Sequence, residues 1–120
     1  MPEWTLPIRI ESEANISEHW AVRRKRHKKY EKQLLKIKKE VMKCKLPCEI
    51  TLIRIAPRML DFDNLCFSQK HISDTICSFL IPNLAPGRAD GSKEIKIQYE
   101  QKKGLPKEYA LEIRINSSKL

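Results

Sequence analysis

Long apolar runs are missing from this sequence. The longest uncharged, mostly apolar stretch lies near Cys77 to Ile81, far short of the ~20 residues that cross a bilayer. A membrane-spanning protein is therefore not expected. The opening Met1-Pro2-Glu3-Trp4 lacks the basic and apolar regions of a secretory signal, so the expected location is cytoplasmic. Paired cysteine knuckles are missing too. Cys44, Cys48, Cys66 and Cys77 are separated by 3, 17 and 10 residues, which does not repeat the CxxC pairs of a zinc ribbon. Reduced thiols that pack as small apolar groups are the expectation. There is no internal repeat, low-complexity segment or dividing linker, so residues 1–120 read as a single domain. A chain of this length buries roughly two thirds of the surface its unfolded form exposes, enough for a core without staples.

Acidic charge is also in short supply. Fifteen Asp and Glu stand against twenty-four Lys and Arg, a net charge of +9. Such an excess on a small domain favours polyanions through counterion release. Nucleic acid is the leading partner class and an anionic membrane surface the second.

Apolar periodicity sets the order of elements. Trp4, Leu6, Ile8 and Ile10 alternate with Thr5, Pro7 and Arg9, the pattern of a half-buried strand, with Pro7 marking an edge. A loop follows over Glu11 to Asn15, and Ser17 with Glu18 offers a helix start. Tyr30, Leu34, Ile37, Val41 and Cys44 then recur every three or four residues as one apolar stripe, which packs on a sheet and so speaks against a membrane-surface helix. Lys25, Lys28, Lys32, Lys36, Lys39 and Lys43 form a ridge on the opposite side. The dense run Arg23-Arg24-Lys25-Arg26-His27-Lys28-Lys29 reads either as more helix or as a mobile arm. Pro47 ends this helix. Ile50, Leu52, Ile53 and Ile55 make a strand apolar on both faces and therefore central. A second helix is expected from about Asn64 to Leu80, then a turn-rich loop with Pro82, Pro86 and Gly87 leading to Asp90. Two strands, Glu94 to Tyr99 and Tyr109 to Ile115, close the chain as a hairpin with a long loop. The expected fold is mixed α/β, ordered β-α-β-α-β-β, with helices packed on a four-stranded mixed sheet.

Chemistry concentrates after the central strand, in Asp61-Phe62-Asp63-Asn64. In an extended segment, residues i and i+2 project to one side, so Asp61 and Asp63 would present two carboxylates together. A divalent cation with hard oxygen ligands makes such a pair favourable. The competing reading has Asp63 or Asn64 cap the helix and leaves Asp61 solvated. On the helix, Asp63, Lys70 and Asp74 fall within about 20° of one line, opposite Leu65, Ile72, Ile76 and Phe79. Lys70 and Asp74 are also four residues apart, the spacing of an ordinary surface ion pair.

An Asp-x-Asp-Asn motif after a central strand, a helix bearing Lys70 and Asp74, and the later Asp90 resemble the RusA family of Holliday-junction resolvases over nearly the whole chain. Trp4-Thr5-Leu6-Pro7 is similar to that family's first strand, Asn15 stands where its asparagine-containing loop would, and the basic stretch to Lys29 suits its DNA-binding loop. The resemblance implies a homodimeric endodeoxyribonuclease that makes paired symmetric nicks in four-way junctions, as a recombination and repair enzyme. It implies magnesium, or manganese, held by Asp61, Asp63 and Asp90, with Lys70 completing the catalytic set and Asn64 and Asp74 supporting it. No small-molecule cofactor is implied. Arg23, Arg24, Lys25, Arg26, Lys28, Lys29, Lys32 and Lys36 would contact backbone phosphates. Lys70 departs from the family pattern, seven residues beyond Asp63 rather than one turn, as does Ala89-Asp90-Gly91 where two adjacent acids are usual. These departures keep a second expectation open, a non-cleaving DNA- or RNA-binding module. Trp20 or Tyr30 could stack on an unpaired base, although Tyr30's place on the stripe favours the core.

Overall fold

A computed structural model describes residues 2–13, 18–82 and 94–117. Strand β1 (Glu3–Leu6) stops at Pro7, which has no N–H to give to a ladder. The alternation nevertheless continues in the extended chain beyond, so that Ile8 and Ile10 are buried with Leu6. Helix α1 (Trp20–Leu34) begins at a His19 cap whose Nδ1 accepts from Ala21 N. Ser17, the expected start, lies outside the described residues. The run Arg23 to Lys29 is helix, not an arm. A single 3-10 turn (Leu35–Ile37) joins α1 to α2 (Lys38–Met42). The apolar stripe survives that tightening, since Tyr30, Leu34, Ile37 and Val41 are all buried.

Strand β2 (Cys48–Ala56) is central, as its apolar content requires. The second helical region is interrupted, with α3 over Phe62–Ser68 and α4 over Lys70–Leu80. The break falls at Gln69 (φ −103°, ψ 2°), whose buried side chain donates back to the Leu65 carbonyl. Strands β3 (Ile95–Lys103) and β4 (Ala110–Ser117) complete one four-stranded mixed sheet in the order β1-β4-β2-β3.

The last two strands are not a hairpin. β4 lies between β1 and β2, antiparallel to both, and β3 runs parallel to β2 on its other side. Burial explains the arrangement. Leu111, Ile113 and Ile115 are fully enclosed and belong in the middle of the sheet, whereas Ile97 and Tyr99 are only partly covered and suit an edge.

All helices cover one face of the sheet. Cys48, Ile50 and Leu52 on β2 pair across with Ile95, Ile97 and Tyr99 on β3 and with Ile115 and Ile113 on β4. These side chains meet Tyr30, Leu34, Val41, Ile72 and Ile76 from the helices. On the other face Ile53 and Ile55 of β2 are flanked by polar side chains, which form a ladder from Glu3 to Arg114 to Glu112 to Lys102, at 3.3, 3.3 and 3.5 Å. Among the described residues no helix is long and apolar enough to cross a membrane.

Candidate active site

The Asp61-Phe62-Asp63-Asn64 segment sits where the chain leaves the central strand, and neighbouring strands fix it in place. Arg54 and Gln101 are register partners on β2 and β3. Arg54 Nη1 donates to the Arg58 carbonyl at 2.7 Å. Gln101 receives the Leu60 N–H on Oε1 at 2.9 Å and donates Nε2 to the Leu60 carbonyl at 2.7 Å. An edge-strand side chain thus completes both backbone bonds of the residue just before Asp61. The other side is tied to the N-terminal segment, where Asn64 Nδ2 donates to Ser12 Oγ at 2.7 Å. Ser68 Oγ donates to Asn64 Oδ1 and accepts the Glu13 N–H, each at 2.9 Å.

Asp61 is extended (φ −64°, ψ 159°), but the helix starts at Phe62, so Asp61 and Asp63 do not alternate along a strand. The cap of α3 is Asp61, not Asp63 or Asn64. Its Oδ2 accepts from Asn64 N at 3.2 Å, while Oδ1 makes no hydrogen bond among the described residues. Asp63 is exposed in the first turn, where a carboxylate is favoured by the unpaired N–H groups of the helix end. The two carboxylates share one helix terminus and offer hard oxygen donors of the kind that magnesium takes. Asp90 and Asn15 lie outside the described residues. Among the described residues no group of three or more His, Cys, Asp or Glu is arranged to hold a metal ion.

Lys70 follows the break at Gln69 and forms the four-residue ion pair with Asp74 at 3.3 Å. It is exposed, with Asp74 half-buried beside it. Next to Asp74, Tyr99 Oη donates to Ser73 Oγ at 3.1 Å, and burial raises the Tyr99 pKa.

The predicted phosphate-binding residues divide into two groups. Arg24, Lys25, Lys28, Lys29 and Lys32 are exposed on α1, and Lys36 is exposed on the 3-10 turn that follows, where it reaches Gln33 Oε1 at 2.8 Å. Arg26 instead points inward and is only 10 % exposed. It bonds Glu11 at 2.9 Å, Glu13 at 2.7 Å and Glu18 at 2.6 Å. The Arg26 hydrogen bond holds Glu18 below the usual carboxylate range. Arg23 joins through Glu18 at 3.3 Å. Buried Glu13 also meets His27 Nε2 at 2.9 Å, and the His27 ring stacks on His71 from α4 with centroids 4.1 Å apart. Burial lowers the His27 pKa, with Glu13 pulling against it and His71 adding to it. Arg23 and Arg26 therefore tie the N-terminal segment to α1. Trp20 is exposed, whereas Tyr30 is core. The Tyr30 hydroxyl accepts from Glu11 N and donates to the Arg9 carbonyl.

Gln101, Ser12 and the Glu11, Glu13, Glu18 cluster were not legible as site residues in the sequence. One available signal was Arg54, a charge set between Ile53 and Ile55 of the central strand. Scanned against protein-family models, curated proteins and solved structures, the chain matches none of them.

Proposed function

We propose that this chain is a magnesium-dependent structure-specific endodeoxyribonuclease that makes paired nicks in four-way DNA junctions, working as a homodimer. The supporting observation is the pair Asp61 and Asp63 at one exposed helix end, braced from both sides, on a chain of net charge +9. Magnesium, or manganese, would be held by Asp61, Asp63 and Asp90 and would supply Lewis-acid activation of a phosphodiester. Gln101 and Asn64 hold the segment that carries the carboxylates, which keeps their position independent of substrate. Lys70 brings positive charge to the same helical region, and Asp74 limits where its ammonium can go. The exposed basic residues Arg24, Lys25, Lys28, Lys29, Lys32 and Lys36 bind the DNA backbone without reading sequence. Two symmetric cuts need two sites, which a two-fold dimer provides.

A second reading, a non-cleaving DNA- or RNA-binding module, is favoured by the capping role of Asp61 and by the Lys70–Asp74 pair, since both give these residues structural work. Labelled four-way junctions and linear duplex, incubated with magnesium or with chelator, separate the two. The nuclease reading expects paired nicks near the crossover that need magnesium and disappear in Asp63→Asn while binding persists. Tight binding without cutting in either magnesium or manganese contradicts it and leaves the module.

A further inference from the structure

We propose that the cleft between the N-terminal segment and the connection into α3 is a phosphate pocket, in which Arg54, Arg9 and Arg58 seat one phosphodiester of a nucleic acid strand beside Asp61 and Asp63. This rests on the nucleic-acid reading above and adds the group that would fix the strand's position. The cleft has a volume of about 710 Å³ and runs from Arg9 and Ser12 on one wall to Arg58 and Leu60 on the other, ending one residue before Asp61.

Its floor is Arg54. The residue is only 6 % exposed and makes no ion pair among the described residues. Nε donates to the Ile10 carbonyl at 3.1 Å and Nη1 to the Arg58 carbonyl at 2.7 Å. A guanidinium carries five N–H donors, and Nη2 makes no hydrogen bond among the described residues while the side chain lines the cleft. A buried cation without an opposite charge is unfavourable, and burial lowers the Arg54 pKa. Arg26, by contrast, meets three carboxylates. The natural complement to Arg54 is an anion with several oxygens, which a planar guanidinium binds in a fork.

The mouth of the cleft is built for the same group. The Arg9 guanidinium lies over the Tyr109 ring, 4.2 Å from its centroid, which orients it without neutralising it. Arg58 is exposed. Ser12 Oγ accepts from Asn64 and retains its own proton to donate. The acid in the lining, Glu11, is engaged by Arg26 at 2.9 Å. Phosphate oxygens could arrive on free phosphate or on a strand. A strand is favoured because an adjoining depression of about 580 Å³ shares Arg9 and is lined by Lys25, Lys29 and Lys32 of α1, so a basic track leads into the cleft.

The test uses the full chain in chelator, with no divalent ion. Inorganic phosphate, and separately a short single-stranded oligonucleotide, are titrated while arginine Nε–H resonances are followed. Arg54 is identified by the signal lost in Arg54→Lys. The pocket expects saturable shifts of Arg54 and Arg9 with both probes, the oligonucleotide saturating at lower concentration. Arg9→Gln, an exposed change, should weaken both about tenfold, and Lys96→Gln on the open sheet face should weaken phosphate not at all. The proposal is overturned if Arg54 stays unmoved while the oligonucleotide binds, or if Arg9→Gln takes phosphate as wild type does. Saturation by phosphate alone overturns the strand assignment. Since neither metal nor cutting enters the measurement, a failure of the nuclease reading leaves these outcomes unchanged and is told apart by the junction assay.

Discussion

Replacing Arg26 by Gln tests whether this basic residue belongs to the fold rather than to the proposed DNA-binding surface. The substitution removes bonds of 2.9, 2.7 and 2.6 Å to Glu11, Glu13 and Glu18. Breaking a buried ion pair from one side costs about 3–5 kcal/mol, because the remaining charge stays buried. Glu13, at 5 % exposure, is that remaining charge, and it keeps His27 as a neighbour at 2.9 Å. We therefore expect a loss of about 2–4 kcal/mol, a large share of the ~5–15 kcal/mol that holds a domain folded. For a chain of this size each kcal/mol shifts Tm by about 4 °C, so the transition should fall by roughly 8–16 °C. Urea unfolding by circular dichroism, with an unchanged m-value, measures it. Arg24→Gln, exposed on the same helix, should change stability by less than ~0.5 kcal/mol. A loss below about 1 kcal/mol in Arg26→Gln would contradict a structural role and return Arg26 to the solvent-facing basic surface.

Acid should destabilise the protein through His27. Its folded pKa is depressed by burial, so below the unfolded value of about 6.5 the unfolded state binds the proton more readily. Stability is complete above that value and falls as pH drops from it to the folded pKa, and His27→Gln should remove this step in unfolding curves taken from pH 8 to 5. Glu18 has the same sign at lower pH, its contribution present above its unfolded pKa and lost as pH falls through the folded one. Gln101→Ala removes both hydrogen bonds to Leu60, which should cost about 1–3 kcal/mol and reduce junction cutting more than junction binding. The four thiols should react unequally with a thiol reagent at pH 8. Burial pushes Cys48 up to about 11 and Cys77 up to about 12, so partly exposed Cys44 and Cys66 react first. Immediate modification of Cys77 would contradict that order.

Periodicity carried most of the fold. The stripe from Tyr30 to Val41 and the doubly apolar Ile50 to Ile55 each specify their burial through local pattern, and both are placed accordingly. Pairing of the last two strands depends on which has the more enclosed apolar face, a comparison across the whole sheet rather than within a segment. The long loop between them therefore read as a hairpin. The break at Gln69 has no Gly or Pro to announce it. At the candidate site, the sequence singled out Asp61 and Asp63, but the extended geometry assumed for both does not hold, because the helix is capped by Asp61, two residues ahead of Asp63. Arg26 read as one of many exposed cations. Its glutamate partners lie 8 to 15 residues away in a segment with no helical or strand period, so only folding brings them together. Gln101 is 41 residues from Leu60 and carries no local signature of its role.

The proposed nuclease requires a divalent metal at the N-terminus of α3, held by Asp61 and Asp63 together with Asp90. Titrating manganese into the protein while following amide resonances would locate such an ion, because a bound paramagnetic ion broadens its neighbours first. The expected result is early, saturable broadening centred on residues 61–64, relieved by magnesium and absent in Asp63→Asn. Broadening that starts instead at the Glu112 ladder of the open sheet face, or spreads evenly over the surface without saturating, would contradict it.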